Sequence, residues 1–315
     1  MRKACRSMGK MTRGLELCRR YYEECASPAI EEKFKGVARR FAAGLAGEGS
    51  ECLGFDDEIS RDHDFGPGFC LWLTDCDFEK YGDELGALYD RLPKEFMGVA
   101  RNTQPQGAGR VGVLRIGDFY RRFTGCRGVP PDEASWFRIP QNFLAAATGG
   151  EVFRDELGEF SRIRAALLPC YPRDVRLKKL SARVFAMAQA GQYNYPRCAK
   201  RGDRTAAAFS LGEFAKAGLE AAHLINERYA PYYKWLFRSA RGLPLLREAV
   251  EMIGSLFAES GGERDKIESI CARTAAELKR EGLSDSGDSF LVAHAEEIMR
   301  RIESEYLKSF GVAAG

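Results

Sequence analysis

Two aspartates separated by one residue, Asp62 and Asp64, give the clearest chemical signal in the sequence. An apolar run from Phe69 to Leu73 follows them and is typical of a buried strand. Side chains two residues apart on a strand project from the same face. Neighbouring carboxylates repel each other unless a divalent cation lies between them, and Mg²⁺ prefers such oxygen ligands. Asp-x-Asp pairs are also common in solvated loops, so the pair alone does not define a metal site.

A turn of small residues, Gly49-Ser50, precedes the aspartate pair. Such a turn leaves backbone N–H groups free and allows a phosphate to approach the chain closely. A phosphate beside a carboxylate-bound metal is the arrangement used in phosphoryl and nucleotidyl transfer. The turn and the carboxylates together therefore predict a site for a phosphorylated substrate.

The order of these features is Gly49-Ser50, eleven residues (Glu51 to Arg61), the Asp-x-Asp pair and then an apolar strand. This pattern resembles the signature of the DNA polymerase β-like nucleotidyltransferases, a superfamily that includes the aminoglycoside nucleotidyltransferases and small antitoxin-type members. More narrowly, the chain resembles an uncharacterised bacterial branch known as a domain of unknown function, from about Phe41 to about Leu236. The branch has no assigned acceptor, so the resemblance brings no substrate with it.

The resemblance implies an α+β fold, in which a small mixed-sheet nucleotidyltransferase domain is followed by an all-helical domain. It implies Mg²⁺ or Mn²⁺ held by Asp62 and Asp64, and ATP or another nucleoside triphosphate as the donor. It also implies a third carboxylate on a later strand. Asp118 is the best-placed candidate, because it follows a strand-like segment from Arg110 to Ile116. The alternative is that Asp118 is the N-cap of a helix that begins at Phe119.

A second polar stretch, Gly191 to Arg204, holds four basic residues between two apolar segments. Arginine and lysine bind phosphate oxygens through charge-assisted hydrogen bonds. The resemblance implies that Lys200, Arg201 and Asp203 contact the nucleotide phosphates from the helical domain. The alternative is a solvated turn between helices in which Asp203 pairs with an arginine.

A third stretch, Asn226 to Trp235, is rich in aromatic residues. Aromatic rings around a lysine can stack on a nucleobase or hold a cation. The same residues can equally form a packing seam between domains. We expect Trp235 to be structural and leave the role of Lys234 open.

Several predicted elements position these residues. Helices are expected over residues 12–26 and from Ser27, as N-cap, to about Ala43, where the chain approaches the Gly49-Ser50 turn. Asp75 and Asp77 follow the strand end, where we expect a solvated loop or a helix start and not a pair of additional metal ligands. Further helices are expected over 79–92 and 136–147, with a strand over 151–155. Pro169 and Pro172 mark the boundary between domain 1–170 and a helical domain 171–315.

Composition restricts the class of protein. The chain has 315 residues and a formal net charge of only +3, which does not predict a nucleic acid as partner. Its ten cysteines include no C-x-x-C pair, and the basic N-terminus is not followed by an apolar segment. No apolar run is long enough to span a bilayer. These features predict a reduced, cytoplasmic protein with no membrane partner.

The sequence therefore supports two hypotheses. In the first, the chain is a metal-dependent nucleotidyltransferase that moves AMP from ATP to a hydroxyl or amine of an unidentified small molecule or protein. In the second, it is a catalytically silent nucleotide-binding regulatory protein of the toxin–antitoxin type. The position of Asp118 relative to Asp62 and Asp64 separates them.

Overall fold

The computed structural model describes residues 13–60, 65–101, 109–258 and 261–315. Asp62 and Asp64 lie outside the described residues. The chain forms two compact units. The first comprises the chain up to Val129 together with Ala146–Ala166, and the second comprises Pro130–Ala145 and Leu167–Gly315. The change from the first unit to the second at residues 166–167 lies near the predicted boundary at residue 170. A single boundary does not describe the chain, however, because the segment 130–145 also belongs to the second unit.

The first unit begins with a continuous helical segment. It consists of α1 (Gly14–Tyr21), a π-helical turn (Tyr22–Ala26) and α2 (Ser27–Lys33). The prediction that Ser27 caps a new helix is wrong, because Ala26 already has helical dihedral angles and leaves no free helix end. The π turn joins the two helices and stands where the sequence suggested a break.

The prediction of a helix to about Ala43 is also wrong. α2 ends at Lys33, a 3₁₀ turn follows at Ala38–Arg40, and strand β1 occupies Ala42–Leu45. All four residues of β1 are buried, and a Cβ added to Gly44 would meet the Trp72 ring at 2.9 Å. This strand is selected by its two sheet neighbours, because its own residues carry no β-branched side chain.

Four strands form a mixed sheet in the order β5-β2-β1-β6. The remaining strands of this sheet are β2 (Cys70–Leu73), β5 (Gly112–Arg115) and β6 (Glu151–Arg154). β1 is antiparallel to both β2 and β6, whereas β2 and β5 are parallel, with Cys70 opposite Gly112 and Leu73 opposite Arg115. The predicted strands over 69–73, 110–116 and 151–155 are confirmed within these bounds. The small mixed sheet of the predicted fold class is confirmed as well.

The other elements of the first unit are α3 (Ser50–Leu53), α4 (Asp75–Arg91), a hairpin of β3 (Glu95–Phe96) and β4 (Val99–Ala100), α5 (Ile116–Thr124) and α8 (Glu159–Leu167). The Trp72 ring stacks on Phe160 with centroids 3.8 Å apart, and both residues are fully buried. Asp75 and Asp77 lie in the first turn of α4, which is the helix start and not the solvated loop of the two settings expected for them. Thr74 caps that helix by accepting a hydrogen bond from the Asp77 N–H.

The second unit is helical throughout its described residues, as predicted. Its helices are α6 (Glu133–Arg138), α9 (Arg173–Met187), α10 (Tyr195–Lys200), α11 (Arg204–Ile225), α12 (Tyr233–Ala240), α13 (Arg247–Ala258), α14 (Glu263–Arg280), α15 (Leu291–Arg300) and α16 (Glu305–Lys308). A further helix, α7 (Gln141–Thr148), crosses from this unit to the first. The helix predicted over 136–147 is thus two helices, α6 and α7. Within the described chain, no helix has the length and apolarity needed to cross a membrane.

Candidate functional site

The Gly49-Ser50 turn connects the first strand of the sheet to a short helix. β1 ends at Leu45, and α3 begins at Ser50. Gly49 has φ 138°, a conformation that side chains disfavour. A Cβ at this position would lie 2.7 Å from the Glu51 carboxylate and would collide with the Arg110 guanidinium. The fold therefore requires glycine here, and the predicted binding of phosphate by the turn stays a prediction.

Arg110 is the cation beside this turn, and sequence reasoning treated it only as a strand residue. Its guanidinium forms an ion pair with the Glu51 carboxylate. Both side chains are largely buried, with exposed fractions of 16% for Arg110 and 12% for Glu51. Burial raises the pKa of the Glu51 carboxyl, and the charge of Arg110 acts in the opposite direction. In the sequence, the ion pair of Arg110 with Glu51 was indicated only by an arginine just before a predicted strand.

A small cavity of about 100 Å³ lies next to the turn. Gly47, Glu48, Arg110, Asp118 and Arg122 contribute to its wall. The side chain of Arg122 donates a hydrogen bond of 2.7 Å to Glu48. Since one water molecule takes up roughly 30 Å³ of liquid, the cavity has room for a group the size of a phosphate. Its wall carries charges of both signs.

Asp118 lies in the first turn of α5, which begins at Ile116. The alternative that Asp118 is the N-cap of a helix beginning at Phe119 is therefore wrong. The Asp118 carboxylate pairs with Arg121 at 3.0 Å and with Arg127, which also binds Asp75. Asp118 thus lines the cavity near the Gly49-Ser50 turn, while two arginines occupy its carboxylate. Its role as a third catalytic carboxylate stays a prediction.

The stretch that contains Lys200, Arg201 and Asp203 is more helical than the sequence suggested. A π-helical turn (Ala188–Asn194) and α10 cover most of it. Asp203 is the N-cap of α11, and its carboxylate accepts a hydrogen bond of 2.9 Å from the Ala206 N–H. Lys200 and Arg201 are exposed to solvent. Asp203 therefore has a structural role, and contact of all three residues with a nucleotide remains a prediction.

The aromatic stretch Asn226–Trp235 divides into structural and exposed parts. The Asn226 side chain donates hydrogen bonds to the carbonyls of Ala222 and Leu245. Tyr232 and Tyr233 are instead exposed, with ring centroids 4.3 Å apart. Both tyrosines line a cavity of about 340 Å³ in the helical unit. Sequence reasoning identified the aromatic rings but did not identify the other walls of this cavity.

No metal centre can be assembled from the described residues by themselves. Among them, no three histidine, cysteine, aspartate or glutamate side chains are grouped so that they could hold a metal ion. A Mg²⁺ site would thus depend on Asp62 and Asp64, which lie outside the described residues. The predicted metal and nucleotide therefore remain proposals.

Comparison with known proteins gives one family match and one structural likeness. A domain of unknown function (DUF4037) matches residues 136–236, about a third of the chain. The expected likeness to such a domain is thus found at its predicted end, Leu236, but starts at Trp136 and not near Phe41. No curated protein matches the chain, and nothing supports the expected relation to aminoglycoside nucleotidyltransferases.

The structural likeness is to a nucleotidyltransferase-like protein from Exiguobacterium sibiricum. Its sequence identity to this chain is 11%, the match covers 89% of this chain and 80% of that protein, and the TM-score is 0.36. A likeness at this level carries no argument about function, which must rest on the residues themselves.

Proposed function

We propose that this chain is a Mg²⁺-dependent nucleotidyltransferase that uses ATP as donor. The main support is the connection from β1 through Gly49 into α3, with the buried Arg110 guanidinium beside the turn. The segment that carries Asp62 and Asp64 leads from this helix into β2, the neighbour of β1 in the sheet. A phosphate-sized cavity, a cation and a glycine turn therefore meet at one edge of a small mixed sheet.

Each residue has a role in this proposal. The backbone N–H groups and hydroxyl of Gly49 and Ser50 bind the phosphate tail. Arg110 adds positive charge once the phosphate competes with Glu51. Asp62 and Asp64 hold Mg²⁺, which at such sites offsets the charge on transferred phosphate groups.

The transfer itself is a single displacement. An acceptor hydroxyl or amine attacks the α-phosphorus, the bond to the pyrophosphate oxygen breaks, and pyrophosphate leaves. The proton of the acceptor passes to Asp118. Lys200 and Arg201 contact the triphosphate, as the sequence resemblance implies, and Asp203 caps the helix that follows them. Positioning and charge neutralisation provide most of the rate enhancement in this chemistry.

The proposal is tested by calorimetric titration with non-hydrolysable nucleoside triphosphates, with and without Mg²⁺. We expect Mg²⁺-dependent binding of the ATP analogue, lost in Asp62→Asn and Asp64→Asn. Asp83→Asn is the matched control, because Asp83 is exposed on α4. Binding that is unchanged in the double variant Asp62→Asn/Asp64→Asn contradicts the assignment.

The silent regulatory function is the second candidate, and the occupied carboxylate of Asp118 favours it. Arg121 and Arg127 already bind the carboxylate of Asp118, so a reacting group has to displace them to reach it. The two functions differ in one measurement, the transfer of label from α-phosphate-labelled ATP to an acceptor in a cell extract. Transfer that is lost in Asp118→Asn supports the enzyme. Nucleotide binding without any transfer supports the regulator.

A further inference from the structure

Two adjacent lysines of α9, Lys178 and Lys179, are both buried, but their ammonium groups have different surroundings. Lys178 donates a hydrogen bond of 2.6 Å to the carbonyl oxygen of Gly311. Lys179 has an exposed fraction of 7%, and within the described part of the chain its ammonium group makes no hydrogen bond or ion pair. A buried charge without an acceptor is costly. Within the described residues Lys179 therefore has no ion-pair partner, and the charge of Glu220 offsets the effect of its burial only in small part.

Two aromatic rings hold the ammonium group of Lys179. Its Nζ lies 5.2 Å from the centroid of the Phe137 ring and 5.0 Å from that of the Tyr171 ring. Cation–π contact of this kind stabilises the charge only in part. The rings hold the side chain in place and provide no oxygen acceptor to the ammonium group.

Lys179 lines the cavity of about 340 Å³, and further charges lie in the same wall. Arg183 follows one turn later on α9, and Lys216 and Glu220 face it from α11. Arg183 donates hydrogen bonds of 2.8 Å to the Glu220 carboxylate and to the carbonyl of Gly315. Glu220 carries the one carboxylate side chain of this cavity lining, and Arg183 binds it, whereas Lys179 and Lys216 form no ion pair within the described residues.

Another part of the cavity lining is aromatic and exposed. Tyr232 and Tyr233 have exposed fractions of 55% and 70%. Exposed aromatic rings next to a cationic pocket provide stacking surfaces for planar groups. The cavity volume lies within the range of roughly 300–1,000 Å³ that small-molecule sites occupy. Cations at one wall and stacking rings at another define a ligand with a phosphate and a planar ring.

We propose that this cavity binds a nucleoside monophosphate, with the phosphate at Lys179 and Lys216 and the base against Tyr232 and Tyr233. All of these residues belong to the helical unit. The site is distinct from the Gly49-Ser50 turn and does not depend on the proposed transfer reaction.

The test is titration of the purified protein, without Mg²⁺, with AMP, GMP, CMP and UMP. Ribose 5-phosphate and inorganic phosphate serve as probes that lack the base. We expect at least fivefold tighter binding of one nucleoside monophosphate than of ribose 5-phosphate, because stacking of a base on an aromatic ring has that effect. Double substitution of Tyr232 and Tyr233 by alanine should remove this difference and leave the binding of ribose 5-phosphate unchanged.

Substitutions of the cations test the phosphate contact. Lys179→Met and Lys216→Met should each weaken the binding of every phosphorylated probe at least tenfold. Lys216 is exposed, so its variant tests the phosphate contact without altering a buried residue. Lys279→Met is the control, because Lys279 is exposed on α14 and does not line the cavity.

Three outcomes overturn the proposal. The first is that no nucleoside monophosphate binds, or that both lysine variants bind as the unsubstituted protein does. The second is loss of binding in Asp62→Asn, which assigns the ligand to the proposed transferase site instead. The third is tighter binding of an aromatic carboxylate such as 4-hydroxybenzoate than of any phosphorylated probe, which replaces phosphate by carboxylate as the ligand chemistry.

Discussion

Replacing Lys179 by methionine should stabilise the ligand-free protein. Methionine keeps most of the length of the lysine side chain and removes the ammonium group. Burial lowers the pKa of Lys179 from 10.5 to about 8, with a smaller contribution from the charge of Arg183. At about 1.4 kcal/mol for each pKa unit, the folded protein bears a penalty of roughly 3 kcal/mol for this charge at neutral pH.

The expected gain differs from this penalty because the contacts with the aromatic rings change. The substitution also removes cation–π contact with Phe137 and Tyr171, which is worth about 0.5–2 kcal/mol. Contacts between the methionine sulfur and the same rings recover about 0.3–1.5 kcal/mol. The free energy of unfolding of Lys179→Met should therefore exceed that of the unsubstituted protein by about 1–4 kcal/mol at pH 7.

The gain should depend on pH in a defined direction. Between about pH 8 and pH 10.5 the unfolded chain keeps the Lys179 proton, whereas the folded protein loses it. The stability of the unsubstituted protein therefore rises with pH across this window relative to that of the variant. The advantage of Lys179→Met is full below about pH 8 and declines above it.

The assay is urea denaturation followed by far-ultraviolet circular dichroism, at several values between pH 6.5 and pH 9.5. Lys279→Met serves as the exposed control and should change stability little at any pH. A Lys179→Met protein that is less stable than the unsubstituted protein at pH 7 refutes the reasoning. A gain that stays constant from pH 6.5 to pH 9.5 also refutes it.

Three further predictions concern Asp77, Asp203 and Arg110. Arg40→Ala should lower the free energy of unfolding by about 2 kcal/mol, because it leaves the buried Asp77 carboxylate without its ion pair. Asp77→Asn should lower it by about 1 kcal/mol, because Arg40 is half-exposed and can return to water, and equal losses in urea denaturation contradict this. Asp203→Ala should cost about 1 kcal/mol of stability and Asp203→Asn much less, since asparagine also caps helices. If Asp203 contacted the nucleotide, both variants would instead lose affinity for a triphosphate in calorimetry. Glu51→Gln should raise affinity for a triphosphate analogue several-fold, because it removes the negative charge of Glu51 beside the Arg110 guanidinium, and Arg110→Met should lower it about tenfold. The opposite order excludes Arg110 as a phosphate ligand.

The sequence predicted those strands that contain β-branched or aromatic residues, or that form an apolar run bounded by glycine. Cys70–Leu73, Gly112–Arg115 and Glu151–Arg154 belong to this group. β1 was predicted as helix, because the preceding aromatic residues recur at helical spacing and Ala42–Leu45 has no strong strand former. Pairing with two neighbouring strands decides its conformation, and a local pattern does not contain that information.

The candidate sites were predictable to the extent that their residues are close in sequence. The Gly49-Ser50 turn and the stretch around Tyr232 were visible as local patterns. The ion pair of Glu51 with Arg110 joins residues far apart in the chain, so only the folded sheet brings them together. Lys179 had no local signal, because lysines at these two positions can face solvent on an isolated helix and only the packing of other elements around α9 buries them.

The chain passes between its two units three times, and this interleaving limits how such a protein can be rearranged by recombination. A single crossover cannot exchange one unit for a homologous one, because residues 146–166 of the first unit separate two parts of the second. The segment matched by the family, 136–236, includes strand β6 but not its partner β1. That segment is therefore not a portable module, and we expect duplication and shuffling to conserve the two units as one gene.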